Sequence, residues 1–552
     1  MISSSTWVPR GYASEFPEKY ELDDEEMDRI NAMAQLEISD AKEDLESAKK
    51  TLTDQIDIDD DLKEYDLEHY DDDENENENG GEKVTMFPGL SSAKIDQSED
   101  SEDVYLSLPT EVDEQEEKQE NQIYPTDNLV LATRTEDDIS WLDVYIYDDG
   151  AGAPAGAEEE EEDKLDADVA KGLVRDSTLY VHHDIMLPAF PLCVEWINYK
   201  PGQSQVTDTN IGNFAAVGTF DPQIELWNLD YVDKAFPDII LGEASAKKSK
   251  KKKSKKSEHV TTHHTDAVLS LTHNKIHRSV LGSTSADSTV KLWDLNTGIA
   301  ARSLNQIHHG KTVSSSQWNP TEPSILLTGG YDSKVAVSDV RLSDDLSKYY
   351  SVGSGEEVEN VRWSSNPEVF YAGTDQGNVY CFDIKASKPL WTLHAHDAGI
   401  SSLDINNYIP GMLITSAMGE KTVKLWKAPT EGGPSMILSR DFGLGNVLTA
   451  SYANDIEVAG NLVVGGVTGG LKMWDTFSNR TVKTGFRDEL KQLQQKAREE
   501  AKVAGRASRI ARKYQTDVSD TILEVDGAKD DSESEDEGEE FENEEEIDED
   551  ED

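Results

Sequence analysis

Two cysteines, Cys193 and Cys381, are all that a chain of 552 residues carries. So few thiols exclude a disulfide framework and a cysteine-built zinc site, and leave two reduced core thiols of an intracellular protein as the expectation. Long apolar runs are missing as well. No stretch approaches the ~20 residues that cross a bilayer and no secretory leader pattern opens the chain, so a soluble protein without a membrane partner is expected. Positive charge is scarce, with 52 Lys and Arg against 112 Asp and Glu, for a formal net charge of -60. Such a balance opposes nucleic-acid binding unless the bases are gathered in blocks. Catalytic signatures are absent too: no Walker loop, no GxSxG elbow, no HExxH pair, and a DFG at 441–443 without the other kinase elements. The pairs His182-His183, His263-His264 and His308-His309 lack a completing set of Cys or acidic ligands. No enzyme activity, cofactor, metal or small-molecule substrate is expected.

What the chain does have is a repeat. The stretch STVKLWDLNTG at 288–298 contains an apolar-x-apolar-bulky-acid pattern that recurs seven times, with the bulky position at Tyr147, Trp227, Trp293, Ser338, Phe382, Trp426 and Trp474. The spacings are 80, 66, 45, 44, 44 and 48 residues. A period near forty-five is the length of one WD40 blade, a four-stranded sheet that buries its faces only against its neighbours. The two long spacings hold GAGAPAGAEEEEEDK and KKSKKKKSKK, compositions that cannot enter a core and read as loops extruded from blades. In the third blade His264, Ser285, Asp287 and Trp293 stand where WD40 repeats place a buried hydrogen-bonded set, and Glu420 takes the acidic position in the sixth. Buried, hydrogen-bonded histidine is the plain reading of His264 and His396, against a catalytic or metal role. A second periodic Trp, in CVEWIN, SSQWNP and VRWSSNP, is placed one strand earlier, where packing between blades is the alternative to an aromatic ligand box.

The expected architecture is all-β: a seven-bladed WD40 β-propeller over 127–485, interrupted by an acidic insertion at 150–172 and a Lys-rich one at 245–258. An anchor segment and helix over 1–50, an acidic disordered region over 51–126, a basic helix over 486–515 and an acidic disordered tail over 516–552 complete it. RTVKTGF at 480–486 and residues near VYLSLP at 104–109 are the two candidate segments for closing the ring.

The ends supply the candidate binding residues. Trp7, Arg10, Tyr12 and Phe16 lie in a polar, Pro-punctuated stretch, where large aromatics serve either as anchors for a partner's groove or as contacts to the chain's own propeller. Lys247, Lys248, Lys250, Lys251, Lys252, Lys253, Lys255 and Lys256 form one basic block. Arg506, Arg509, Arg512 and Lys513 end a predicted helix over Phe486 to Tyr514 whose thin apolar stripe is Leu490, Leu493, Ala497, Ala501 and Ala504. Both blocks suit RNA or an import receptor, against simple solvation. Ser532 and Ser534 each have an acid three residues on, as an acid-directed kinase requires; a solubility tail is the alternative.

STWVPRG at the start, DNLVLATRTEDD, LYVHHDIMLPAFPLCVEWINY and NFAAVGTFDPQIELWNLD resemble the periodic tryptophan protein 1 family of WD40 proteins. The resemblance implies a non-enzymatic factor of the nucleus and nucleolus that acts in ribosome biogenesis, on large-subunit precursors during ribosomal RNA processing. The partners it implies are the pre-ribosomal large-subunit particle, ribosomal RNA and assembly proteins that include an RNA-recognition-motif protein. A chromatin protein that reads histones and acts in rRNA gene transcription is the competing class, because acidic tracts suit histones as well as ribosomal proteins.

Overall fold

A computed structural model describes residues 1–20, 94–96, 105–107, 118–119, 121–150, 177–202, 210–242, 260–343, 346–429, 432–503, 508–511, 513–514 and 522–524. The chain divides into two units, Met1–Pro17 with Ile123–Asp552, and Glu18–Gln122. In the second unit the strands Lys94–Asp96 and Tyr105–Ser107 pair antiparallel with each other.

Seven four-stranded antiparallel sheets make up the first unit. Each blade runs from an innermost strand outward, and the seven repeated segments found in the sequence are the third strands, for example Val290–Asp294 and Val379–Asp383 within Asn378–Asp383. Val290, Lys291, Leu292 and Trp293 are all buried, because both faces of a blade are covered by its neighbours. Even Lys291 is enclosed, its ammonium donating to the Val260 carbonyl and to Ser303 Oγ at 2.7 Å each.

Close approach between blades demands glycine in several second strands. A Cβ on Gly329 would meet Val358 Cγ1 at 2.6 Å, one on Gly373 would meet Ile400 Cγ2 at 3.0 Å, and one on Gly465 would meet Ile2 Cγ2 at 2.7 Å. Each neighbour is the first residue of the innermost strand in the next blade. Ile2 thus occupies in blade 1 the place of Val358 in blade 5 and Ile400 in blade 6.

Neither candidate closing segment closes the ring. Blade 1 consists of Ile2–Val8, Asn128–Glu136, Ile139–Asp148 and Thr178–Leu187, in that order from the axis outward. Its innermost strand therefore comes from the first residues of the chain and pairs antiparallel with a strand some 120 residues later, Trp7 opposite Val130. RTVKTG is instead helix α1, Arg480–Gly485, and YLS of VYLSLP belongs to the hairpin of the other unit. The expected propeller boundary is corrected at both ends, since blade 7 takes its outer strand from Ile522–Glu524.

Helix α2, Arg487–Val503, buries Leu490, Leu493, Ala497 and Ala501, the stripe read from the sequence; Ala504 lies outside the described residues. Leu490, Leu493 and Ala497 join a core with Ile409, Phe442, Tyr452 and Phe477 of blades 6 and 7. Asp488 and Glu489 in the first turn and Lys502 in the last complement the helix dipole. The predicted single helix to Tyr514 ends at Val503, beyond which Ile510 and Tyr514 pack into the same core. The expected helix after Glu21, the acidic insertion beyond Gly150 and the acidic tail beyond Glu524 lie outside the described residues, and Ile522–Glu524, expected within a disordered tail, is a strand.

Candidate functional site

Three blades carry a buried His set. In blade 3, His264 Nδ1 lies 3.0 Å from Asp287 Oδ2 and its Nε2 2.7 Å from Ser283 Oγ, which also accepts from Trp293 Nε1 at 2.8 Å. The bridging hydroxyl is therefore Ser283 and not Ser285. Ser285 Oγ donates to the Asp266 carbonyl at 3.0 Å and accepts from the Asp287 amide at 3.1 Å, so it holds the turn. In blade 6 Thr415 bridges His396 Nε2 and Trp426 Nε1 at 2.8 and 2.9 Å, with Glu420 on His396 Nδ1 at 2.7 Å. Blade 4 keeps His308, Thr328 and Asp332, while Ser338 replaces the indole and bonds Ser347 at 2.8 Å. Burial pushes the pKa of His264 and His396 down, so both rings are neutral links. Burial opposes ionisation of Glu420, yet its bond to His396 wins and holds that carboxyl at about 2. These sets join turn to strand and have no open position for a substrate.

The periodic indoles sit in innermost strands, two strands before the third strand rather than one. Trp318 Nε1 donates to the Thr272 carbonyl at 3.1 Å and Trp363 Nε1 to the Gln317 carbonyl at 3.2 Å, each reaching into the preceding blade. Trp7 Nε1 does the same to the Ser451 carbonyl of blade 7 at 3.1 Å. Trp7 is thus one of the packing tryptophans, 2% exposed. Of the two readings of the N-terminal aromatics, docking on the chain's own propeller holds for Trp7, and Tyr12 packs edge-on to Trp196 at 4.8 Å. Phe16 remains exposed. The signal was present in the sequence: ISSSTWVP at 2–9 parallels VSSSQWNP at 313–320, the start of blade 4.

The hydroxyls of those strands line an axial channel of about 730 Å³. Ser5 bonds Thr449 at 3.0 Å and Ser451 at 3.2 Å, and Ser402 donates to the Ala450 carbonyl at 2.9 Å, so these hydroxyls stitch neighbouring blades together. Cys193 and Cys381 are buried and burial pushes both thiols up to about 12, which leaves them protonated and unreactive.

Where the chain ends meet, an ionic clasp replaces the His sets. Asp149, 1% exposed, receives Arg10 from the N-terminal segment and lies 3.5 Å from Arg509 of the C-terminal segment. Arg10 Nε also donates to Asn128 Oδ1 at 2.7 Å and lies 3.7 Å from Asp455. Burial opposes the Arg10 charge, but Asp149 and Asp455 outweigh it and raise its pKa. Glu457 Oε2 accepts from Ser508 Oγ at 3.0 Å and from the amides of Arg509 and Ile510 at 2.9 and 3.2 Å. Asp475 pairs with Lys513 at 2.6 Å and accepts from the Tyr514 hydroxyl at 2.7 Å. Arg10 and Arg509 are buried and Lys513 is half-buried on Asp475, so all three are engaged within the protein, a correction to their reading as partner, RNA or import-receptor contacts. Arg506, Arg512, the eight lysines from Lys247 to Lys256, Ser532 and Ser534 lie outside the described residues.

Among the described residues no group of three or more His, Cys, Asp or Glu is placed to hold a metal, and no helix is long and apolar enough to cross a membrane.

Residues 258–451 match the family model described as the N-terminal domain of nucleolar protein 10-like β-propellers. Periodic tryptophan protein 1 of Saccharomyces cerevisiae is 58% identical, over 97% of this chain and 98% of the relative. An uncharacterised WD repeat-containing protein of Schizosaccharomyces pombe is 36% identical over 88% and 91%, and a periodic tryptophan protein 1 homologue of Drosophila melanogaster is 31% identical over 77% and 83%.

Proposed function

Because the chain belongs to the periodic tryptophan protein 1 family, we propose that it is a non-enzymatic nucleolar scaffold that acts in assembly of the large ribosomal subunit and in ribosomal RNA processing. The observation that carries this reading is the likeness along nearly the whole chain to a family member, joined by a match to a propeller model named for a nucleolar protein. The fold supports it: a ring whose buried polar groups are spent on its own cohesion offers loops and faces, surfaces suited to holding partners. Proposed partners are the pre-ribosomal large-subunit particle, ribosomal RNA and assembly proteins, including one with an RNA-recognition motif. With Arg509 and Lys513 engaged by Asp149 and Asp475, the Lys247–Lys256 block, Arg506 and Arg512 are the remaining basic candidates for RNA or import, while the acidic segments suit basic ribosomal proteins.

Crosslinking the tagged protein to RNA in cells and sequencing the attached fragments tests the reading. Sites concentrated in the large-subunit part of the ribosomal RNA precursor are expected, and replacing all eight lysines by Ser should reduce them without lowering thermal stability. Recovery of histones without ribosomal RNA would replace this reading by the chromatin one.

A further inference from the structure

Blade 1 outgrows the other blades. Its third and outer strands, Ile139–Asp148 and Thr178–Leu187, have ten residues each, whereas the third strand of blade 3 has five and the outer strand of blade 4 has four. The extra length carries the sheet past its neighbours and leaves apolar side chains uncovered at its end. Met186, 60% exposed, lies directly across from Trp141, which in turn lies across from Arg134, and the guanidinium stacks 4.4 Å above that indole. Directly opposed residues share a sheet face, and Ile139, two before Trp141 and 46% exposed, shares it too. Every other apolar residue at this level, such as Leu142 and Ile185, is fully buried on the opposite face.

The edge beside this face is also open. His183–Leu187 forms the outermost stretch of the sheet above a bulge at His182, and among the described residues no strand pairs with its outer side. Sheet edges are normally blunted by lysine, proline, a bulge or short length. TLYVHHDIML contains neither lysine nor proline, and its bulge at His182 precedes the regularly paired stretch His183–Leu187. A second copy of the chain is an unsuitable occupant, because two molecules of net charge -60 repel. Charge favours the opposite sign: Glu136, Asp137, Asp138 and Asp184 are exposed around the platform, and Arg134 is already engaged by Asp143 at 2.7 Å and Glu136 at 3.0 Å.

We propose that the upper end of blade 1 is a docking site for an extended basic segment of a partner protein, which adds as a further strand along His183–Leu187 and seats apolar side chains on Met186, Trp141 and Ile139. Backbone hydrogen bonds would supply affinity and the apolar platform with its acidic border would select alternating apolar and basic residues. The edge would recruit such a strand whichever particle the ring serves.

The test uses the full chain and a fluorescent, end-capped peptide of alternating Val and Lys, followed by anisotropy. A second peptide of the same sequence carries N-methyl groups along one edge, which keeps its charge and removes its backbone donors. Parent peptide binding should weaken about tenfold or more on N-methylation, the loss of a few hydrogen bonds near 1 kcal/mol each. Met186→Ser, a charge-neutral change at an exposed position, should weaken it as well, and amide exchange across 183–187 should slow in the complex. Equal affinity for the two peptides, or for the wild type and Met186→Ser, would mean attraction to acidic segments by charge alone and would overturn the proposal.

Discussion

Blades 3 to 6 and the junction of blades 7 and 1 solve the same packing problem with different materials. Within blades 3 to 6 each sheet is built from consecutive residues, and three of the four are tied by imidazole and hydroxyl groups around His264, His308 and His396. At the junction, strands from both ends of the chain must meet, and the links are charged: Arg10 and Arg509 on Asp149, Lys513 on Asp475. A repeat unit assembles from near neighbours at small entropic cost, whereas the junction closes a loop of several hundred residues. Strong, directional, buried ion pairs suit the second task, because breaking one leaves an uncompensated charge and so penalises every open or mispaired ring.

The largest effect should come from deleting residues 2–8, which leaves Gly465, Val130 and Ser451 facing a gap; loss of cooperative unfolding in a denaturant titration is expected, while retained cooperativity would show that the ring closes without its first strand. Next is Asp149→Asn. It strands Arg10 and Arg509 together in a buried site and should cost about 3–5 kcal/mol, measured as a lower midpoint at unchanged slope. An equal loss from Asp287→Asn in blade 3 would erase the distinction drawn between junction and repeat.

Within the repeats, Ser283→Ala should cost about 1–3 kcal/mol, since it removes the shared partner of His264 and Trp293 from a buried site. Ser285→Ala, which loosens only a turn, should cost less; the reverse order would restore Ser285 to the bridge. The smallest effect concerns pH. Burial raises Glu225 to about 7 beside Trp227, whose Nε1 donates to it at 3.1 Å. A carboxyl with a raised folded pKa favours the fold below its unfolded value of about 4.5 and loses that contribution as pH rises through about 7. Glu225→Gln should therefore match the wild type near pH 5 when the carboxyl is protonated in the fold, and exceed it by on the order of 1 kcal/mol at pH 8. A stability difference that stays constant from pH 5 to 8 would remove Glu225 as a titrating group.

Much of the repeat was legible. Third strands, the partners His264, Asp287 and Trp293, and the helix stripe from Leu490 to Ala501 follow from local spacing, because alternation and helical period are properties of neighbouring residues. Ser283 and Ser285 lie on the same strand face, so that spacing alone does not say which hydroxyl reaches the imidazole. The engagement of Arg509 and Lys513 is hidden for a different reason. Their acidic partners, Asp149 and Asp475, lie far away in sequence, and a run of bases beyond the last repeat looks like a solvated helix.

The amino-acid sequence by itself determined the number of blades, their order and the residues at their centres, since blades 3 to 6 are each specified by contacts within about forty-five residues and the others repeat their third strand. Only the tertiary structure decided where the ring ends. Ile2–Val8 has the pattern of an innermost strand wherever it stands, but its place in blade 1 depends on Gly465, Val130 and Ser451 arriving together around it. Such long-range pairing is settled by the closure of the whole ring, and no local pattern encodes it.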